Sequence, residues 1–200
     1  MDEDEYYQKV RNWNSRTDYL KDLDVIKLLT TYCSTAYETA NVFLIGTGLG
    51  ADIESIKNLP NIRSVVGVEP IEKFYNEASE KYNKIGAKIL NMTLDMFAAS
   101  NDELSGIFIF SHSINHIPKD ELLSFKKTLK KSFILVINPN PEFPKRFWWT
   151  DETILSYLSG EEIANILGCE KIFDFFYNLV EIKDQTIFVR NAILLKTKDF

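Results

Sequence analysis

The strongest chemical signal in the sequence is Gly46-Thr47-Gly48-Leu49-Gly50, which follows the apolar run Val42-Phe43-Leu44-Ile45 and precedes a stretch with helical spacing. Glycines let a backbone turn tightly and approach a ligand closely, and the free N–H groups opening a helix favour negatively polarised atoms. Glu69 ends a second apolar run about 20 residues on, where a carboxylate can accept both hydroxyls of a ribose. The pattern predicts a nucleoside cradled by Gly46, Thr47, Gly48 and Gly50 and held by Glu69, with Pro70 beside it. Gly46-x-Gly48-x-x-Ala51 also satisfies the dinucleotide fingerprint, so these residues alone leave two cofactor classes open.

His112 and His116 are the only histidines, four residues apart, a spacing that on a helix could bind a metal. They fall instead at a strand end and in the loop after it, with no third ligand in view, and no metal is expected. His116 is expected to cap the next turn. His112 is expected to face the substrate and act as a base titrating near neutrality, and Ser111 before it to lie near the acceptor and contact the cofactor. Cys33 and Cys169 lack a CxxC spacing and read as small core residues of a reducing compartment.

Two aromatic clusters could contact ligands. Tyr6, Tyr7, Trp13 and Tyr19 are interleaved with Arg11 and Arg16 ahead of the first strand. They suit either a lid, in which Arg11 or Arg16 meets a cofactor carboxylate, or a helix packed on the sheet edge. The run from Pro139 to Trp149 is a long proline-rich loop after a strand, well placed to wall a substrate pocket. Asn138, Trp148 and Trp149 are its candidate substrate contacts, and the tryptophans suit a homodimer contact as well.

These residues need elements to position them. Periodicity predicts helices over 22–37, 51–59, 71–84, 95–99, 119–131 and 160–167, and buried strands over 41–45, 64–68, 87–90, 106–110 and 133–137. Such alternation gives a doubly wound α/β fold with a parallel sheet. Two final runs, 172–182 and 186–195, read as an antiparallel hairpin. The expected fold is therefore a mostly parallel seven-stranded sheet with one reversed strand.

In this setting the chain resembles the class I methyltransferases over roughly residues 41 to 196. The 42–50 segment is similar to their first motif, and Val66-Gly67-Val68-Glu69-Pro70 to their ribose-binding strand end. Phe110 to Pro118 resembles their fourth-strand motif, where the transferred methyl faces the substrate, and the closing hairpin is their ending. The resemblance implies S-adenosylmethionine as cofactor and methyl transfer to an acceptor, here expected to be a small molecule. It implies that Asp95, with Met96, lies near the adenine amino group. Leu44 stands where the family has an acid that organises the methionine end; Asp52 or a residue from the N-terminal segment is the candidate substitute. An aminocarboxypropyl transferase, a non-catalytic binding or regulatory subunit and an NAD-dependent oxidoreductase are the competing readings.

Bulk properties narrow the class further. With 200 residues, 45% hydrophobic and 26% charged, the chain suits one domain, with 1–40 as a helical segment or lid and 41–200 binding the cofactor. A net charge of -6 argues against a nucleic-acid partner, and the Lys126-Lys127, Lys130-Lys131 cluster reads as a solvated helix end. The acidic Met1 to Glu5 start and the absence of a long apolar run lead to a cytoplasmic expectation without membrane contact.

Overall fold

The computed structural model describes residues 3–14, 17–139, 158–181 and 186–200. Two helices come first, α1 (Glu3–Asn14) and α2 (Thr17–Ser34). Then strands and helices alternate: β1 (Ala40–Ile45), α3 (Ala51–Lys57), β2 (Ile62–Val68), α4 (Glu72–Tyr82), β3 (Lys88–Leu90), α5 (Leu94–Ala99), β4 (Ile107–Ser111), α6 (Lys119–Thr128) and β5 (Phe133–Pro139). After α7 (Gly160–Leu167) come β6 (Glu170–Glu181) and β7 (Thr186–Lys196).

The strands form one sheet in the order β3-β2-β1-β4-β5-β7-β6. β1 pairs in parallel with β2 and β4, and β4 with β5, whereas β7 runs antiparallel to both β5 and β6. Only β7 is reversed, so the hairpin inserts its second strand beside β5 and leaves β6 at the edge.

Strand residues alternate between two apolar layers because successive side chains leave a sheet on opposite faces. On one face Phe133, Leu135 and Ile137 of β5 pack with Ile26, Leu29 and Cys33 of α2 and Ile53 and Ile56 of α3. On the other, Ile134 and Val136 pack with Phe97 of α5, Leu122 and Phe125 of α6 and Ile163 and Leu167 of α7. Burial on both faces explains why the central strands are continuous apolar runs. Both cysteines are free and buried.

Several boundaries differ from the sequence expectation. The helix expected over 22–37 starts earlier and stops at Ser34, followed by turns. The helix expected to reach Lys131 stops at Thr128, because Leu129 turns extended to bridge Leu104, with the Lys130 N–H donating to the Leu104 carbonyl. Lys130 and Lys131 therefore lie beyond the helix rather than in its last turn. The segment after Tyr82 tightens into a 3₁₀ turn, Asn83–Ile85, before Gly86.

Candidate functional site

The turn between β1 and α3 places Gly46, Gly48 and Gly50 at φ of 70°, 54° and 74°, the left-handed region that only glycine enters without strain. Gly46 is also confined by space, since a Cβ there would stand 2.5 Å from the Cβ of Ser113. The turn is thus pressed against the segment after β4. Ser113, buried, donates its hydroxyl to the Ile45 carbonyl, and the Thr47 hydroxyl donates to the Leu44 carbonyl at 2.9 Å.

Glu69 closes the turn from the other side. It is 3% exposed, and its carboxylate accepts the Gly48 N–H at 2.7 Å and the Ile71 N–H at 2.9 Å. Burial pushes its pKa up to about 7, against the lowering pull of those two N–H groups. Each oxygen keeps a lone pair, so the carboxylate can still accept two hydroxyls. Asn91 donates its side-chain amide to the Glu69 and Pro70 carbonyls and fixes the strand end.

Next to Glu69 lies a cavity of about 150 Å³ walled by the turn, the β3–α5 connection and the start of α6. Gly46, Pro70, Met92, Leu94, Ile117 and Glu121 are among its lining residues. Whole-ligand sites run to roughly 300–1,000 Å³, so this volume suits part of a ligand, such as a base. α1 lies alongside: Tyr7 stacks on Phe74 of α4 at 5.3 Å between ring centroids, and Tyr6 meets the same ring edge-on. Burial raises the Tyr6 hydroxyl to about 12, with the Glu69 charge adding to it. Tyr6 of α1 therefore comes up close to Glu69.

A second polar group sits at the carboxyl ends of β4 and β5. Ser111 pairs with Ile137 at the end of β4, and the next residue, His112, adopts φ of 58° while its N–H donates to the Ile137 carbonyl. That reversal turns the His112 ring inward, with its side chain 9% exposed and Nε2 2.9 Å from Asp22 of α2. The same carboxylate accepts the Tyr177 hydroxyl at 2.6 Å and lies 3.4 Å from Nε of the buried Arg190. Burial alone would raise the Asp22 pKa, but the His112 hydrogen bond and charge, then Arg190 and Tyr177, bring it below the usual carboxylate range. Asn138 is buried on the opposite face of the sheet, directly across from Asn191 of β7. Neither of its amide atoms has a hydrogen bond among the described residues.

The structure thus brings Gly46, Thr47, Gly48, Gly50, Glu69 and Pro70 together, and Ser111, His112 and Asn138 at the adjoining strand ends. It does not bring in the side chains of Asp95 and Met96, which are exposed on α5; Met92, Thr93 and Leu94, just before them, line the cavity. Asp52 is buried in the first turn of α3 and is not among the lining residues. Arg11 is exposed on α1. Trp148, Trp149 and Arg16 lie outside the described residues. His116, expected only to cap a turn, lines the cavity from the 3₁₀ turn Ile114–His116. Sequence reasoning gave Ser113 no role of its own although it lies within the Phe110 to Pro118 motif, and it missed Glu121 and Asp22, which belong to no motif and are brought in by helices α6 and α2. Among the described residues no three His, Cys, Asp or Glu side chains group as a metal site requires, and no helix is long and apolar enough to cross a membrane.

No family model matches the chain, and no curated protein matches it. Solved structures do. A SAM-dependent methyltransferase from Aquifex aeolicus superposes with a TM-score of 0.62 at 16% identity, covering 94% of this chain and 97% of that one. A SAM-dependent methyltransferase from Leishmania major gives 0.65 at 13% identity, with 96% and 83% covered. TehB from Haemophilus influenzae gives 0.61 at 10% identity, and there the match takes in 82% of this chain but only 60% of that protein. The likeness is one of fold: a seven-stranded class I methyltransferase sheet with flanking helices.

Proposed function

We propose that this chain is an S-adenosylmethionine-dependent methyltransferase acting on a small-molecule acceptor. The observation that carries the reading is the Gly48 N–H bonded to Glu69 at 2.7 Å. In a dinucleotide site the glycine turn offers its N–H groups to a pyrophosphate. Here the Glu69 carboxylate already occupies one of them. Such a site repels an anionic phosphate bridge and suits a nucleoside whose other end is cationic.

The cofactor residues fit that group. Glu69 would accept the ribose hydroxyls, the Gly46 turn lets the backbone come close, and Met92, Leu94 and Ile117 offer apolar walls to a base. When bound, the cofactor supplies a methyl on a sulfonium, a good leaving group, so the chain's task is to position an acceptor and exclude water. Ser111 and His112 are the proposed polar edge of the acceptor site, with His112 held in place by Asp22. The net charge of -6 supports an acceptor other than nucleic acid.

The test is calorimetric titration with S-adenosylmethionine, S-adenosylhomocysteine and NAD on one preparation. The first two are expected to bind and NAD to bind at least tenfold more weakly; tight binding of NAD alone overturns the proposal. One observation favours a second reading, a binding subunit without catalysis. Leu44, in the family's acidic position, is buried at 2% exposure within the apolar layer under α2 and α3. Labelled-methyl transfer to a panel of small amines and hydroxy compounds separates the two: binding without transfer selects the second.

A further inference from the structure

The acid that the family resemblance assigns to the base, Asp95, is exposed, yet the cavity has an acid of its own among its walls. Glu121, in the first turn of α6, is half-buried and lines the cavity together with Leu94 and Ile117. Its Oε2 accepts the backbone N–H of Asp95 at 3.2 Å, which moors the carboxylate between α5 and α6. Among the described residues no hydrogen bond is made to Oε1.

A carboxylate only accepts hydrogen bonds, so a ligand atom that meets it must donate. The cavity is too small for a whole nucleoside and has Glu69, the ribose acid, among its walls. What reaches Glu121 is then the edge of the base. We infer that Glu121 reads the exocyclic amino group of the cofactor's base and selects a 6-aminopurine over its 6-oxo counterpart. The inference rests on the nucleoside reading above.

The substitution Glu121→Gln isolates the role. A glutamine keeps an oxygen for the Asp95 N–H and replaces the second oxygen with an N–H donor, so the mooring survives while the recognition chemistry reverses. The measurement is calorimetric affinity for S-adenosylhomocysteine and for S-inosylhomocysteine, in which an oxygen replaces the amino group. The unaltered protein is expected to prefer the adenine compound by roughly tenfold or more, the scale of one hydrogen bond to a charged group. In Glu121→Gln that preference should collapse, the adenine compound weakening and the inosine compound strengthening, with Tm unchanged. Asp95→Asn should leave the preference as it was. A preference unaltered by Glu121→Gln, or one that moves with Asp95→Asn instead, overturns the inference. Failure of the unaltered protein to bind either compound overturns the nucleoside reading itself, a result distinct from the first.

Discussion

The Glu69 carboxylate and the Gly48 N–H, 21 residues apart in sequence, are joined by a hydrogen bond of 2.7 Å. The bond ties the end of β2 to the glycine turn after β1, so the relative placement of these two segments is set by one contact. It also supplies one of the few groups that hold the buried charge of Glu69 in check.

Ligand affinity should therefore depend on pH through Glu69. In the proposed site ribose hydroxyls would donate to the ionised carboxylate, and burial raises its pKa to about 7. Affinity for S-adenosylhomocysteine should rise as the pH climbs through 7 and level off above it. Stability of the ligand-free protein should move the other way. Between the ordinary value of 4.5 and about 7 the unfolded chain has already released this proton, so Glu69 contributes a loss of stability as pH rises. Calorimetric affinities and urea midpoints from pH 5 to 9 check both signs. In Glu69→Gln both dependences should flatten, with affinity reduced; an unchanged affinity profile would remove Glu69 from the site.

Gly46→Ala should destabilise the fold by about 2–4 kcal/mol. Entering the left-handed region costs a side-chain residue roughly 1–2 kcal/mol, and the new methyl would meet the Cβ of Ser113 at 2.5 Å, a forced overpacking of similar size. Thermal and urea unfolding read this directly. Pairing it with Ser113→Gly should recover the packing share and leave the backbone share.

Asp22→Ala should lower stability by roughly 3–5 kcal/mol, because it strips the carboxylate from the buried Arg190 and from His112. Asp22 has a lowered native pKa, so its contribution is present in full above its ordinary value of 3.8 and is lost as the pH falls through the native value. Unfolding midpoints compared at pH 7 and pH 3 should show the variant and the parent drawing together at the acidic end.

Leu44→Asp, which gives the chain the acid usual in the resembling family, should fail to improve cofactor binding. The position is buried among Val42, Ile26 and Ile53 in an apolar layer, and an uncompensated charge there should cost roughly 3–5 kcal/mol. A gain in affinity for S-adenosylmethionine at unchanged Tm would show that the side chain can reach the cofactor.

The fold was legible because each central strand is buried on both faces and so appears as an unbroken apolar run between glycines, as at 42–45 and 133–137. Glu69 was legible for a related reason: a carboxylate directly after such a run must sit at the sheet's carboxyl edge. Local pattern could not give Glu121, whose place depends on how α6 lies against α5, or Asp22, which meets His112 from a helix 90 residues away. Asp95 was misleading because the single step from Leu94 to Asp95 at the start of α5 passes from a cavity wall to an exposed helix face. His112 was read from its place after a strand, but its positive φ turns the ring inward toward Asp22.

The insertion of β7 between β5 and β6 has a consequence for the order in which the chain can assemble during synthesis. β6 emerges first, yet it has no place in the sheet until β7 has been made and has docked against β5. Until then the edge of β5, with its apolar Ile134 to Ile137, lies unpaired and open to other chains. A nascent chain halted before Thr186 would carry that open edge together with a stranded β6, and it is at this stage that a holding chaperone would have most to protect.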